Sequence, residues 1–471
     1  MTKSSSRFVL LAAAAALSLV LPVGASATPP DTATAVATFD HTENLQPLGF
    51  SARTVPLDNT VPGAGSFNSD LAFWGDMAVQ GTYAGFRLID ISEDGAPQEI
   101  INFEECVSRT TSAGNQGDVV VWDDILVRSW NSPAPSGGRF CGGVFTPQGQ
   151  EGVHIFDISD PANPVGLAFV PTDCGSHTAT GVPDPENNRL LVYSSSASGS
   201  CRGLDLIEVP LDAPENAAAI GFIEAGQMCH DTAVILGDAM LAACAGHDGT
   251  IGNSNNPDAT GVAVWSLDPA DGASFEEPVL LYQRFTPSAG IGHSAAFTWD
   301  GEVLIVGHEP GGGGQARCQA TNNPLDHTAH FLDARTGMTL GTWELPRKQT
   351  NLENCTIHNY NVVPTDRSYL LVSGNYQSGI SVVDFTDPAN AREVAYADPA
   401  PLVNPNNPNA LELGGDWSTY WYNGRIYESD ITRGLIVWNL TDPIRAGERS
   451  QAHLNPQTQE ETFPLKRPGR S

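Results

Sequence analysis

The chain has 471 residues, with 54 Asp and Glu against 23 Lys and Arg and a formal net charge of −31. That surplus excludes nucleic acid and anionic membrane surfaces as partners, because both repel it, and it favours solubility. Glycine and proline are abundant, at 47 and 34 residues, and helical periodicity is nearly absent, which leaves many short strands joined by turns.

Lys3 and Arg7 precede an apolar run from Phe8 to Val20, and Ala25-Ser26-Ala27 supplies the small-residue pattern of a secretory cleavage site. Residues 1–27 therefore read as a signal peptide, and the protein as secreted to the extracellular space, periplasm or cell surface. The apolar run is short for a membrane span, and no other stretch reaches that length. Residues 28–43 are small and polar and read as a flexible segment. Export agrees with eight cysteines that have no CxxC metal spacing, the usage expected of structural disulfides.

From residue 44 to 443 one unit recurs. Its clearest copy is GVHIFDISDPANPVGLAFV, Gly152 to Val170; weaker copies begin at Gly85, Gly261, Gly379 and Gly434. Each opens with glycine and a β-branched or aromatic run, turns at Asp-Pro or its equivalent, and returns as a second apolar run. Two strands cannot bury a face alone, so the repetition demands neighbours that are copies of itself. Seven units follow, near Asp70–Cys106, Gly114–Cys174, Gly175–Cys229, His230–Gly292, His293–Ile357, His358–Val403 and Gly414–Pro443. Their spacing predicts an all-β, seven-bladed propeller of four-stranded blades. The last unit lacks an outer strand, whereas Asn44–Pro56 resembles an outer half with nothing before it, so this N-terminal strand is expected to close the ring. Residues 444–471 read as a polar, mobile tail.

Leu88-Ile89-Asp90-Ile91-Ser92, Ile155 to Pro161 (IFDISDP), Val382 to Pro388 (VVDFTDP) and Ile436 to Pro443 (IVWNLTDP) resemble the LVIVD-repeat family of secreted and surface β-propellers. The likeness covers most of the chain after the leader and weakens in the third and fifth units. The resemblance implies the fold and says little of function.

Aligning the units on their first strands gives one column: Asp70, Asp118, His177, His230, His293, His358 and Asp416. In a four-stranded meander the loop leading into the first strand shares a face with the loop joining the second and third strands. The column is therefore expected at the channel mouth, ringed by those second loops, which carry His247, His308-Glu309, Asn375-Tyr376 and Asp430. The same topology pairs Cys106 with Cys141, Cys174 with Cys201 and Cys318 with Cys355 on that face, and Cys229 with Cys244 inside the fourth blade.

Imidazoles converging from neighbouring blades are what a divalent metal site needs, so His177, His230, His293 and His358 are candidate ligands of a divalent metal ion. His247 and His308 are candidate acid/base groups. The three Asp of the column also fit a purely structural role, hydrogen-bonding their own blades. His41, His154 and His453 stand alone and read as surface residues. No GxSxG elbow supports a hydrolase triad, and Gly311–Gly314 lacks the setting of a phosphate loop. A monomer is expected, acting either as a metal-dependent enzyme on a small molecule or as a non-catalytic module that binds a glycan or protein through its funnel loops.

Overall fold

The computed structural model describes residues 32–53, 67–107, 115–196, 201–247, 260–286, 291–441 and 443–466. The expected signal peptide and the insertion at 248–259 lie outside the described residues. Within them the chain forms seven antiparallel four-stranded sheets, each a meander from an inner to an outer strand. Blade one, for example, runs Asn68–Trp74, Met77–Thr82, Gly85–Asp90 and Gln98–Phe103. The first strand of each blade packs against that of the next, which makes the ring. Blade two carries an extra hairpin, Arg139–Cys141 with Val144–Thr146.

Ring closure follows the expected route. Leu45–Ala52 pairs antiparallel with Gly434–Leu440 as the outer strand of blade seven. The sequence signature explains itself here. In blades one, two, six and seven a Cβ at the opening glycine (Gly85, Gly152, Gly379 or Gly434) would strike a carbonyl of the outer strand lying over it. The Asp that ends the run (Asp90, Asp157, Asp384) accepts from the backbone N–H two residues on and sets the turn. Between third and fourth strands every blade has a β-bulge, which twists the outer strand away from its neighbour. The core is distributed, with apolar clusters each shared by two adjacent blades, such as Val79, Phe86, Trp130 and Phe156 between blades one and two. All four disulfides pair as the topology requires, and none crosses the ring.

Both chain ends depart from expectation. In the segment read as flexible, Phe39–His41 pairs with the outer strand of blade six, because Val36 and Phe39 bury against Trp438 and its neighbours. The segment read as a mobile tail is a belt. It touches blade six at Thr365, blade seven at Asn423 and blade one at Phe73–Trp74. It then meets Val121 of blade two, Gly181 of blade three and Val234–Ile235 of blade four. It stacks Phe463 on Trp299 of blade five and returns to Asp366 of blade six. A polar sequence conceals this order because main-chain pairing and polar side chains such as Asn455 and Thr458 hold much of it. His453, expected at the surface, is sandwiched by Trp74 and Trp122, and His154 is wholly buried against Trp130 and Phe169.

Candidate metal centre at the channel mouth

The belt contacts the far ends of the first strands, so the near ends, where the Asp/His column begins, form the opposite mouth. There the four imidazoles stand in a continuous arc. Ring centroids are 4.4 Å apart for His177 and His230, 4.0 Å for His230 and His293, and 4.3 Å for His293 and His358. Tyr376 and Trp417 end the arc, 4.2 and 5.2 Å from His358. Gly292 permits the close approach of blade five to blade four, since a Cβ there would meet the Gly246 carbonyl.

Two carboxylates join the arc. Asp231 Oδ1 lies 3.0 Å from His230 Nδ1, and its Oδ2 lies 3.6 Å from His293 Nδ1. Glu309 stands between the other two rings, with Oε2 3.8 Å from His293 Nε2 and Oε1 3.5 Å from His358 Nε2. The Tyr376 hydroxyl donates to Glu309 at 2.6 Å. Two overlapping sets of converging donors result: His230, Asp231 and His293, and His293, Glu309 and His358, every member buried.

Hydrogen bonds fix the tautomers. His358 Nδ1 donates to the Trp417 carbonyl at 2.5 Å, which leaves Nε2 a bare lone pair, and that atom is buried without a partner. Ser294 Oγ donates to the His358 carbonyl and accepts from His293 Nδ1 at 2.6 Å, which bares His293 Nε2 toward Glu309. Asn359, oriented to donate, supports Ser294 Oγ from the side at 2.8 Å. His230 Nδ1 donates to Asp231. Anchoring one ring nitrogen to free the other is how proteins present imidazole to a metal.

His177 is the exception. Asn131 holds its amide orientation by accepting from Gln116 N and donates to His177 Nδ1 at 2.7 Å, so the proton sits on Nε2. His177 lines the arc but belongs to neither donor set. The two acid/base candidates also lie outside both sets. His308 turns to the opposite face of its strand, against His330 at 4.9 Å, because alternation along the strand gives the channel side to Glu309. His247, buried at the end of blade four's second strand, joins no donor set among the described residues.

Electrostatics agree with the geometry. Burial pushes His230 and His358 down to about 3, and His177 and His293 well below the usual imidazole range. Burial also pushes Asp231 up to about 7 and Glu309 up to about 8. Neutral imidazoles beside carboxyls that resist ionisation are the state a divalent cation would relieve, since the ion supplies the charge that burial removes.

Asp231 and Ser294 carried no sequence signal of their own. Bulges lie between Cys229 and Thr232 in blade four and between Gly292 and Ala295 in blade five. Each interrupts the alternation, so that His230 with Asp231, and His293 with Ser294, both reach the site. Within the Asp arm of the column, Asp70 accepts from Tyr420 and from Gln457 of the belt, and Asp416 accepts from Thr419.

No family model matches the chain, and no curated protein matches it. Among solved structures it is similar to the computationally designed Ika8 protein, at 11% identity and TM-score 0.43, over 84% of this chain and 99% of that one. It is also similar to a chain of the mitotic checkpoint complex, at 13% identity and TM-score 0.47, over 86% of this chain and 97% of that one. At such scores neither likeness bears on function.

Proposed function

We propose that the protein is a secreted propeller of the LVIVD-repeat type that holds a divalent metal ion between His293, Glu309 and His358 and acts as a metal-dependent enzyme on a small molecule. One observation carries the reading: the buried His358 Nε2 has no hydrogen-bond partner, while its other nitrogen is tied to a backbone carbonyl. An orphaned buried acceptor is costly unless something completes it, and a cation does so with two further donors already in place. The donor set of two imidazoles and one carboxylate suits Zn²⁺, Mn²⁺ or Fe²⁺. A bound ion would polarise a carbonyl or carboxylate, or lower the pKa of a coordinated water. Tyr376, whose hydroxyl donates to Glu309, and the neutral His230 stand ready to hold or move a proton beside it.

The funnel face favours a second reading at one place. Phe140 and Phe145, on the hairpin of blade two, are 61% and 47% exposed and rest against each other, the kind of apolar contact a binding module offers a glycan or protein.

The test is elemental analysis of purified, untagged mature protein beside folded His293→Ala and His358→Ala variants. Near-stoichiometric metal in the wild type that disappears in both variants supports the reading. Wild-type protein that retains no ion after incubation with Zn²⁺, Mn²⁺, Fe²⁺ or Cu²⁺ moves it to the binding-module class.

A further inference from the structure

Blade seven carries a set of converging carboxyls that shares no residue with the imidazole arc. Asp416 opens its first strand, and Glu428 and Asp430 stand on its second, two residues apart and so on one face. A β-bulge between Asp416 and Ser418 interrupts the alternation on the first strand. The three side chains meet there, with one oxygen of each within 4.8 Å of the others. All three residues are 0% exposed. Blade six closes over them at Gly374, where a Cβ would meet Thr419 Oγ1 at 2.9 Å and Asp416 Cβ at 3.1 Å.

The pattern of donors points to a ligand. Asp430 is complete, with Thr432 N, Thr432 Oγ1 and Arg433 N on one oxygen and the Arg433 guanidinium on the other. Asp416 and Glu428 are each half complete. Thr419 donates to Asp416 Oδ2 at 3.0 Å and Trp438 Nε1 to Glu428 Oε2 at 2.6 Å, while Asp416 Oδ1 and Glu428 Oε1 are buried without a donor. Other blades do not leave this position so. The fourth residue of the second strand is Gln80 in blade one, which donates to Ser429 and accepts from Arg87, and Arg128 in blade two, which donates to three carbonyls. Charge agrees, because among the described residues the one ion pair of the set is Arg433 with Asp430. Three carboxylates against one guanidinium leave two negative charges over, and buried charge without a counterion is costly.

We infer that Asp416, Glu428 and Asp430 hold a calcium ion that fixes the strands of blade seven where the ring closes. The donors are all oxygen, which selects a hard cation and disfavours the ions that imidazole attracts. Burial then selects Ca²⁺, which takes a flexible set of protein oxygens, over Mg²⁺, which keeps several of its waters. The ion joins the first strand to the second, and through Trp438 it braces the third, which pairs with the closing strand Leu45–Ala52. Arg433 covers the site from outside, its guanidinium 5.2 Å over the ring of Phe39, whose own strand pairs with blade six. The role is structural, and it is independent of the ion proposed at His293, Glu309 and His358.

The test uses chelator-treated, desalted mature protein titrated with Ca²⁺ by calorimetry and heated with and without the ion. The expected result is about one Ca²⁺ per chain and an unfolding midpoint that rises with free Ca²⁺. Glu428→Gln keeps the shape and an acceptor for Trp438, and its amide N–H supplies the donor that Asp416 Oδ1 lacks. It should therefore unfold in chelator no earlier than the wild type, yet bind Ca²⁺ at least roughly 100-fold more weakly. If it does not fold, Asp416→Asn takes its place with the same expected loss of affinity. His358→Ala should bind Ca²⁺ as the wild type does. Calcium bound equally by Glu428→Gln, or lost in His358→Ala and kept in Glu428→Gln, overturns the inference. So does a wild type that binds no Ca²⁺ and whose midpoint answers to pH alone, since Asp416 and Glu428 then share a proton instead.

Discussion

The two ends of the central channel are built from the same seven first strands and differ in what completes them. At the mouth, side chains meet one another, and an acceptor is left over: the buried His358 Nε2 has no hydrogen-bond partner. At the far end the strands meet main chain, and the belt's groups pair with them; Val234 N and Leu236 N donate to Gln457 O and Gln459 O, and Asn455 bonds both ways with Val121. A fold that satisfies one end so fully has the means to leave the other unsatisfied. The mouth is the place for chemistry and the belt the place for stability, with Gln457, which reaches up to Asp70, as the link between them.

That division predicts separable effects. The largest is at the mouth: His358→Ala should weaken metal retention by more than roughly 100-fold, since removing even an outer partner of a ligand costs about 10–100-fold. Competition against a chromogenic chelator reads it, and the unfolding midpoint should move little. At the belt, Phe463→Ala removes a buried ring stacked on Trp299 and should cost about 3–5 kcal/mol in denaturant unfolding with metal affinity unchanged. Equal loss of both properties in either variant would break the division.

Two smaller effects sharpen it. Ser294→Ala withdraws the acceptor that fixes the His293 tautomer, so affinity should fall roughly 10–100-fold while stability changes by less than the belt variant. His154, away from the mouth, is pushed down to about 3 by burial. Its folded pKa lies below the unfolded value, so the unfolded chain binds the extra proton. Stability from this group is full above the unfolded imidazole pKa and drains as pH falls from there toward 3, by at most about 1.4 kcal/mol per pH unit. The acid-side slope of the unfolding free energy should therefore be shallower in a folded His154→Gln variant than in the wild type.

The repeat made the fold legible. Period, opening glycine and Asp-Pro turn each have a backbone reason, and the missing outer strand of the last unit pointed to Leu45–Ala52. The column of first-strand residues was legible for the same reason, because a register within a repeat maps to a level in the ring. What stayed hidden depends on departures from the repeat. The bulges beside His230 and His293 bring in Asp231 and Ser294, which a strict alternation assigns to the other face. His308 was singled out over Glu309 by residue type, and the pleat reverses that choice. The belt was hidden because its sequence is polar and main-chain pairing and polar side chains such as Asn455 and Thr458 hold much of it, which no hydrophobic pattern reports.

The most direct measurement is anomalous X-ray diffraction from crystals of the metal-loaded protein. The account predicts an anomalous peak within bonding distance of His358 Nε2, His293 Nε2 and a Glu309 carboxylate oxygen. A peak confined to the buried Asp416, Glu428 and Asp430 cluster of blade seven, with His358 Nε2 facing only water, would contradict it.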